Sequence, residues 1–339
     1  EAKFLEVYKN YKEPYYILAS DMHNSLPAAL EIATFLKNNG KKFKLFHGTV
    51  EEIANAIKNT EIEKISTNSY SFSRNSLLKD QNFAVIGKPS DWLIASNTNY
   101  EEIRNNFGLE VIDISMSEFI EEINLASDKY SNNNIFEYAN NKVSKEEIIK
   151  AIKIYNALKN IISKYKLNGV TVRCFDLLDT IKSTSCLALA LLNKEGIIAT
   201  CEGDVPTMIS MALVKRLFNQ SSFQVNPSYI NIEKHYAIFA HCTLPLDMTS
   251  SFKLDTHFES GIGVGIKGEL NLDNITIFKM NANMKNFEVF SCGLCNKIIP
   301  FAKVLPQINI AISLHASNDD VRNQLMPINK TFIPPISAI

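Results

Sequence analysis

Between residues 15 and 48 the chain alternates a β-rich run, an amphipathic run and a second β-rich run, and this alternation restricts the fold more than any other feature. YYILAS is followed by NSLPAALEIATFLKNNG, where Leu26, Leu30, Ile32, Ala33 and Leu36 recur at helical spacing before Gly40, and then by KFKLFHG. A strand, helix and strand in this order build a parallel pair, which binds ligands near the carboxyl ends of its strands. That opening unit carries no GxGxxG, so a dinucleotide is not supported. After the polar stretch STNSYSFSRNSLLKDQ the rhythm restarts: NFAVIG, then NYEEIRNNFG, LEVIDI and SMSEFIEEINLA read as strand, helix, strand and helix.

A long amphipathic helix closes this second unit. Ser144 and Glu147 form a capping box, Ile148, Ile152, Tyr155, Leu158, Ile162 and Tyr165 form one apolar stripe, and Gly169 is expected just past the end. From residue 170 the texture changes to runs such as HYAIFAHCTL, GVGIKGEL and NITIFKM, where strands are expected to follow one another without long helices. The fold class expected is α/β: two βα domains, 1–69 and 70–168, then a β-rich, antiparallel or barrel-like domain over 169–289 with its closing strands missing, and a tail of different character over 290–339.

Thirty-five Lys and Arg against 36 Asp and Glu leave a net charge of −1, which gives no global field toward nucleic acid or an anionic membrane. No apolar run approaches the roughly 20 residues of a membrane helix, and the N-terminus lacks the apolar core of a secretory signal, so a cytoplasmic protein is expected. The six cysteines, 174, 186, 201, 242, 292 and 295, are scattered and are expected as reduced thiols; Cys292 and Cys295 form a lone CxxC, a weak zinc signal without a second pair.

Three clusters could carry chemistry. In IIATCEGDVPTMISM, Glu202 and Asp204 lie where an apolar strand gives way to a helix beginning near Pro206. Acidic residues at a helix start also suit the macrodipole, so a plain cap competes with a catalytic reading. His241 ends the apolar run AIFAH, where an imidazole is either scaffold or ligand. In DTHFESGIGVGIKGEL, Asp255, His257 and Glu259 alternate, so on a strand they would share one face; a polar hairpin in water is the rival reading. Oxygen and imidazole ligands without thiolates suit Mn²⁺ or another hard divalent cation, and such an ion beside a carboxylate can move a proton next to a carbonyl.

The blocks AVIGKPSDWLIAS, TVRCFDLL, TSCLALALLNKEGIIATCEGDVPTMISM, NPSYINIEKHYAIFAHCTLP and HFESGIGVGIKGEL together resemble the L-fucose isomerase-like proteins over about 15–285. The resemblance implies two Rossmann-like domains before a β-rich domain, a homo-oligomer, trimer or hexamer, a small sugar as partner with neither nucleic acid nor membrane, and Mn²⁺-assisted aldose–ketose isomerisation through an enediol. By the same resemblance Glu202 is a metal ligand and acid/base, and Asn226 stands where the family has a second carboxylate. His241 matches a metal-binding His, and Arg173, His257 and Glu259 are sugar contacts; Asp204, by its closeness to Glu202 alone, is expected to take part of the acid/base role. An amide at 226 cannot transfer the proton, and a further C-terminal His of the family has no counterpart here, which favours a non-catalytic sugar-binding or structural relative as the rival. From about 290, SLHASNDD and MPINK resemble the radical-SAM ribosomal-RNA adenine methyltransferases, whose CxxxCxxC cluster motif the chain does not contain. A methyltransferase remnant confined to the tail is the third reading.

Overall fold

The computed structural model describes residues 2–20, 25–58, 70–71, 77–131, 133–231, 236–258, 260–270, 274–293 and 310–311. It opens with α1 (Ala2–Val7), β1 (Tyr15–Ser20), α2 (Ser25–Asn38), β2 (Phe43–Gly48) and α3 (Val50–Lys58). β1 and β2 pair in parallel from Tyr15↔Phe43 to Ser20↔Gly48, and Ile17, Ala19, Leu26, Ala29, Ala33 and Leu36 form a small core beneath them. The crossover helix is therefore the one its apolar spacing announces.

After β3 (Tyr70–Ser71) come β4 (Asn82–Ile86), α4 (Tyr100–Phe107), β5 (Glu110–Ile114), α5 (Met116–Leu125) and α6 (Lys145–Tyr165). Asn99 and Ser115 cap α4 and α5 by accepting the Glu101 and Glu118 N–H groups at 2.8 and 3.1 Å. Ser144 caps α6 in the same way, taking the Glu147 N–H at 3.2 Å. The left-handed residue that stops α6 is Lys166, at φ 51°. Gly169 lies instead inside β6 (Gly169–Val172), where a Cβ would stand 2.6 Å from the Phe83 ring.

Next come α7 (Asp176–Thr180), α8 (Cys186–Lys194), β7 (Ile198–Cys201) and α9 (Val205–Phe218). β6 and β7 extend the sheet begun by β4 and β5, giving the all-parallel order β5-β4-β6-β7. The boundary expected between 168 and 169 thus cuts through one sheet. α9 is the helix expected to begin near Pro206, whereas α8 stands where strands were expected. Cys186–Asn193 and Val205–Val214 are buried on every side, so neither helix shows the one-sided stripe by which a surface helix is recognised.

The remainder is β-rich: β8 (Gln224–Asn231), β9 (Tyr236–Ala240), β10 (Thr249–Asp255), β11 (Gly265–Leu270), β12 (Asn274–Met280), β13 (Asn286–Gly293) and β14 (Ile310–Ala311). A six-stranded sheet runs β3-β13-β12-β14-β8-β9, and β10 and β11 pair antiparallel beside it. The α/β class with a β-rich C-terminal region is therefore observed. No helix among the described residues is long and apolar enough to cross a membrane. Cys174 and Cys201 are joined in a disulfide, against the expectation of reduced thiols. The parallel register Val172↔Cys201 explains it by bringing the two Cα atoms to 6.2 Å, within disulfide reach.

Candidate functional site

β7 ends in a tight turn that projects one side chain. Glu202 is 1% exposed and adopts φ 68°, a left-handed conformation that a side chain with a Cβ enters at a cost of about 1–2 kcal/mol. Such strain on a buried carboxylate at the carboxyl end of a parallel sheet is the kind of backbone stress that clusters at functional sites. Gly203 follows at φ 62°, its N–H bonded to Val172 O at 3.1 Å, and the Ser90 hydroxyl donates to the Glu202 carbonyl.

Asp204 does a different job. It is the N-cap of α9, accepting the Thr207 N–H at 3.0 Å and the Thr207 hydroxyl at 2.6 Å. Burial pushes its carboxyl up to about 6, against the lowering effect of those Thr207 hydrogen bonds. Of the two readings of the acidic pair, the helix cap is thus what the geometry gives Asp204. A carboxylate raised above its unfolded value holds its proton more tightly in the native state, so its contribution to stability declines as pH rises from about 3.8 through about 6. Asp204→Asn keeps a good cap and removes the buried charge. It is expected to melt at or above the parent temperature at pH 8, with the advantage vanishing below pH 4; a lower melting temperature at pH 8 contradicts this account.

The β8–β9 hairpin brings the next residues to the same end of β7. The Cys201 N–H donates to Gln224 Oε1 at 2.7 Å, which pins the start of β8 beside Glu202. Asn226 lies two residues along, on the same face of β8 as Gln224, and is fully buried. Neither its Oδ1 nor its Nδ2 meets a hydrogen-bond partner among the described residues. Asn226 pairs with Ala240 across the hairpin, which sets His241 at the adjoining position. His241 Nδ1 lies 2.8 Å from Thr243 Oγ1, and its Nε2 is sealed from solvent without a partner among the described residues. Burial, then the charge of His257, lowers its pKa to about 3.

His257 belongs to this cluster, while Asp255 pairs elsewhere. β10 ends at Asp255, and the chain then closes a turn in which the His257 N–H bonds Ile262 O at 3.2 Å and the Gly261 N–H bonds His257 O at 2.8 Å. The strand alternation expected for 255, 257 and 259 therefore fails. Asp255 pairs with Lys267, and Glu259 lies outside the described residues. Burial lowers the His257 pKa to about 4.

Arg173 sits at the neighbouring strand end but is occupied. Its guanidinium bonds Asp176 and Asp91 at 3.1 Å each and Pro89 O at 3.4 Å, and lies 4.4 Å from the Trp92 ring centroid. It ties the β4 and β6 ends together, so the structure gives it a scaffold position.

Two residues were missed as functional candidates. Cys186, at the start of α8, and Cys242, after His241, are free, buried thiols with sulfurs 3.0 Å apart. The hydrogen bond between the two sulfurs draws the Cys186 thiol down and pushes the Cys242 thiol up. Glu202 also acts electrostatically on Cys242, which places the carboxylate near the thiol pair. Fifty-six residues separate the two cysteines, so no spacing motif could have joined them.

No protein-family model matches the chain. Over short stretches it is similar to proteins named probable dual-specificity RNA methyltransferase RlmN. In Spiroplasma citri the identity is 52% over 48 residues, 14% of each chain. In Natranaerobius thermophilus it is 45% over 53 residues, 16% of this chain and 15% of that one. In Oceanobacillus iheyensis it is 29% over 134 residues, 37% and 34%. The chain thus matches no more than about a third of any of these three relatives.

These likenesses overturn the expected membership of the L-fucose isomerase-like family and its carbohydrate-metabolism reading, because these relatives are named for RNA methylation. Manganese held by Glu202, Asn226 and His241, a sugar partner in a trimer or hexamer, and the exclusion of nucleic acid fall with it. The physical reason lies in the blocks themselves. AVIGKPSDWLIAS and GIIATCEGDVPTMISM are a strand running into a turn and, in the second, a helix, a pattern that parallel sheets impose on unrelated chains. The other expected likeness, to ribosomal-RNA methyltransferases, agrees with the relatives' names; most of the blocks that carry it lie outside the described residues. An iron–sulfur cluster does not fit the cysteines present: two are joined in a disulfide, and the CxxxCxxC spacing is absent from the 339 residues.

Proposed function

We propose that the end of β7 and the β8–β9 hairpin bind a small hydroxylated carbonyl compound, on which Glu202 moves a proton at the carbon beside the carbonyl. The observation that carries the reading is Asn226, whose amide is wholly buried and lacks any partner among the described residues. Leaving such a group unpaired costs about 1–3 kcal/mol, and a hydroxyl or carbonyl oxygen of a ligand would satisfy it. Glu202 is the carboxylate at the same strand end, held in a strained turn that fixes its direction.

The test is deuterium exchange, followed by proton NMR, at the carbon next to the carbonyl in a panel of hydroxy-aldehydes and hydroxy-ketones. Glu202→Gln is expected to slow exchange by about 10²–10⁴-fold, the usual contribution of general acid–base catalysis, with affinity little changed. Exchange at the parental rate in that variant would sink the proposal. Affinity without any exchange in the parent chain favours a binding site alone, the reading that an amide at position 226 supports.

The relatives' names carry a second reading, that part of this chain serves an RNA-modifying protein, supported by 52% identity over 48 residues. Filter binding to ribosomal RNA at two salt concentrations tests it. A chain that retains no RNA at low salt does not serve that role.

A further inference from the structure

We propose that Cys186, Cys242 and His257 form a binding site for a thiophilic transition-metal ion of the zinc class. Their ligand atoms all lie within 4.8 Å of one another, and the residues are 1%, 9% and 4% exposed. The site does not rest on the proton-transfer reading, since its ligands are different residues and its chemistry is that of sulfur. Two thiolates and one imidazole select zinc over the hard, oxygen-seeking ions.

The geometry needs little adjustment. With zinc–sulfur bonds of about 2.3 Å, tetrahedral sulfurs stand about 3.8 Å apart, less than 1 Å beyond the 3.0 Å observed. His257 Nδ1 accepts the Ser260 N–H at 3.3 Å and lies 3.0 Å from Ser260 Oγ; when Nε2 takes the metal the ring proton moves to Nδ1, where Ser260 Oγ can accept it as the outer partner a ligating imidazole usually has. His241 Nδ1 is 3.8 Å from Cys242 Sγ, placed to hydrogen-bond that sulfur once it is a thiolate. Three protein ligands leave a fourth position open, the coordination of catalytic rather than structural zinc. Three chain segments converge on the site: the start of α8, the residue after His241 and the turn after β10. The turn closes through Gly263, whose N–H bonds Glu147 Oε2 of α6 at 3.2 Å and whose missing Cβ leaves room for Thr184.

Binding a cation also means releasing protons: the two thiols each give up their S–H proton to solvent, both sulfurs become thiolates, and the imidazole stays neutral. No redox partner is required.

The full chain, stripped with a chelator under anaerobic conditions that keep the Cys174–Cys201 disulfide and titrated with Co²⁺, is expected to take up one equivalent at this site. An intense sulfur-to-cobalt charge-transfer band and the visible bands of a four-coordinate ion should appear together. Zinc should displace the cobalt. Cys186→Ser and Cys242→Ser should each remove the charge-transfer band or weaken affinity by more than the roughly 10–100-fold expected of Ser260→Ala. Cys292→Ser/Cys295→Ser should leave the band intact, which separates this site from the tail CxxC. If a serine variant unfolds, His257→Gln with a circular dichroism control serves as the second probe. The proposal is overturned by absence of the band in the parent chain, by its persistence in Cys186→Ser, or by its loss in Cys292→Ser/Cys295→Ser.

Discussion

Acidification from pH 7 to pH 4 is expected to remove about 3–4 kcal/mol of stability from the metal-free protein, a large share of the 5–15 kcal/mol of an ordinary domain. His257 is buried and His241 half-buried with its Nε2 sealed from solvent, and both rings are neutral, with pKa values lowered to about 3 for His241 and about 4 for His257. In the unfolded chain both protonate near 6.5. Below that pH the unfolded state binds more protons than the native state. The stabilisation is therefore complete above 6.5 and is lost as pH falls toward the native values.

Each ring contributes a slope of about 1.4 kcal/mol per pH unit. Asp204 opposes them, because its native carboxyl, raised to about 6, takes up a proton before the unfolded one does. The curve should be steepest just below 6.5, where only the imidazoles titrate, and about half as steep between 6 and 4. Urea unfolding at half-unit pH steps, with a chelator present, measures it. His241→Gln and His257→Gln should each remove one proton's worth of slope, and Asp204→Asn should steepen the lower segment. A flat profile between pH 7 and pH 5 would contradict the holding of both rings as neutral groups.

What the sequence disclosed follows from which residues face water. α2, α4, α5 and α6 each set an apolar stripe against a polar face, and the caps at Asn99, Ser115 and Ser144 are written in single residues. α8 lies buried within the fold, so its sequence is almost wholly apolar and resembles a buried strand, whereas Pro206 announces the start of α9. The same ambiguity hid the continuity of the parallel sheet across residue 168. Glu202 was legible because a carboxylate after an apolar strand is an anomaly in itself. His257 was found for the wrong reason: its neighbours alternate in type, but a glycine-rich turn, not a strand, delivers it to the site. Cys186 and Cys242 could not be paired from sequence, since tertiary folding alone brings their segments together. The family resemblance failed where local pattern was taken for ancestry.

Gly203→Ala is expected to cost about 2–5 kcal/mol and to disable whatever site Glu202 serves. Two separate penalties add. At φ 62° the new Cβ meets the left-handed penalty of about 1–2 kcal/mol. It would also stand 2.8 Å from Lys88 O and 3.1 Å from Ser90 N, and both are backbone atoms that cannot swing away as a side-chain tip can. That loop is fixed from two further directions, by the Ser90 hydroxyl on the Glu202 carbonyl and by Arg173 on Pro89 O. Relieving the clash must therefore move either the loop or the turn that aims Glu202, at about 1–3 kcal/mol for overpacking. Gly40→Ala supplies the control: Gly40 has φ 66°, but nothing lies within 4 Å of the point where the added methyl would stand. Only the conformational penalty, about 1–2 kcal/mol, should appear there. The difference between the two variants in urea midpoint, at unchanged slope, isolates the close approach of the β4 loop to the Glu202 turn. Equal losses in both would mean that the turn is free to shift and that Glu202 is not rigidly aimed.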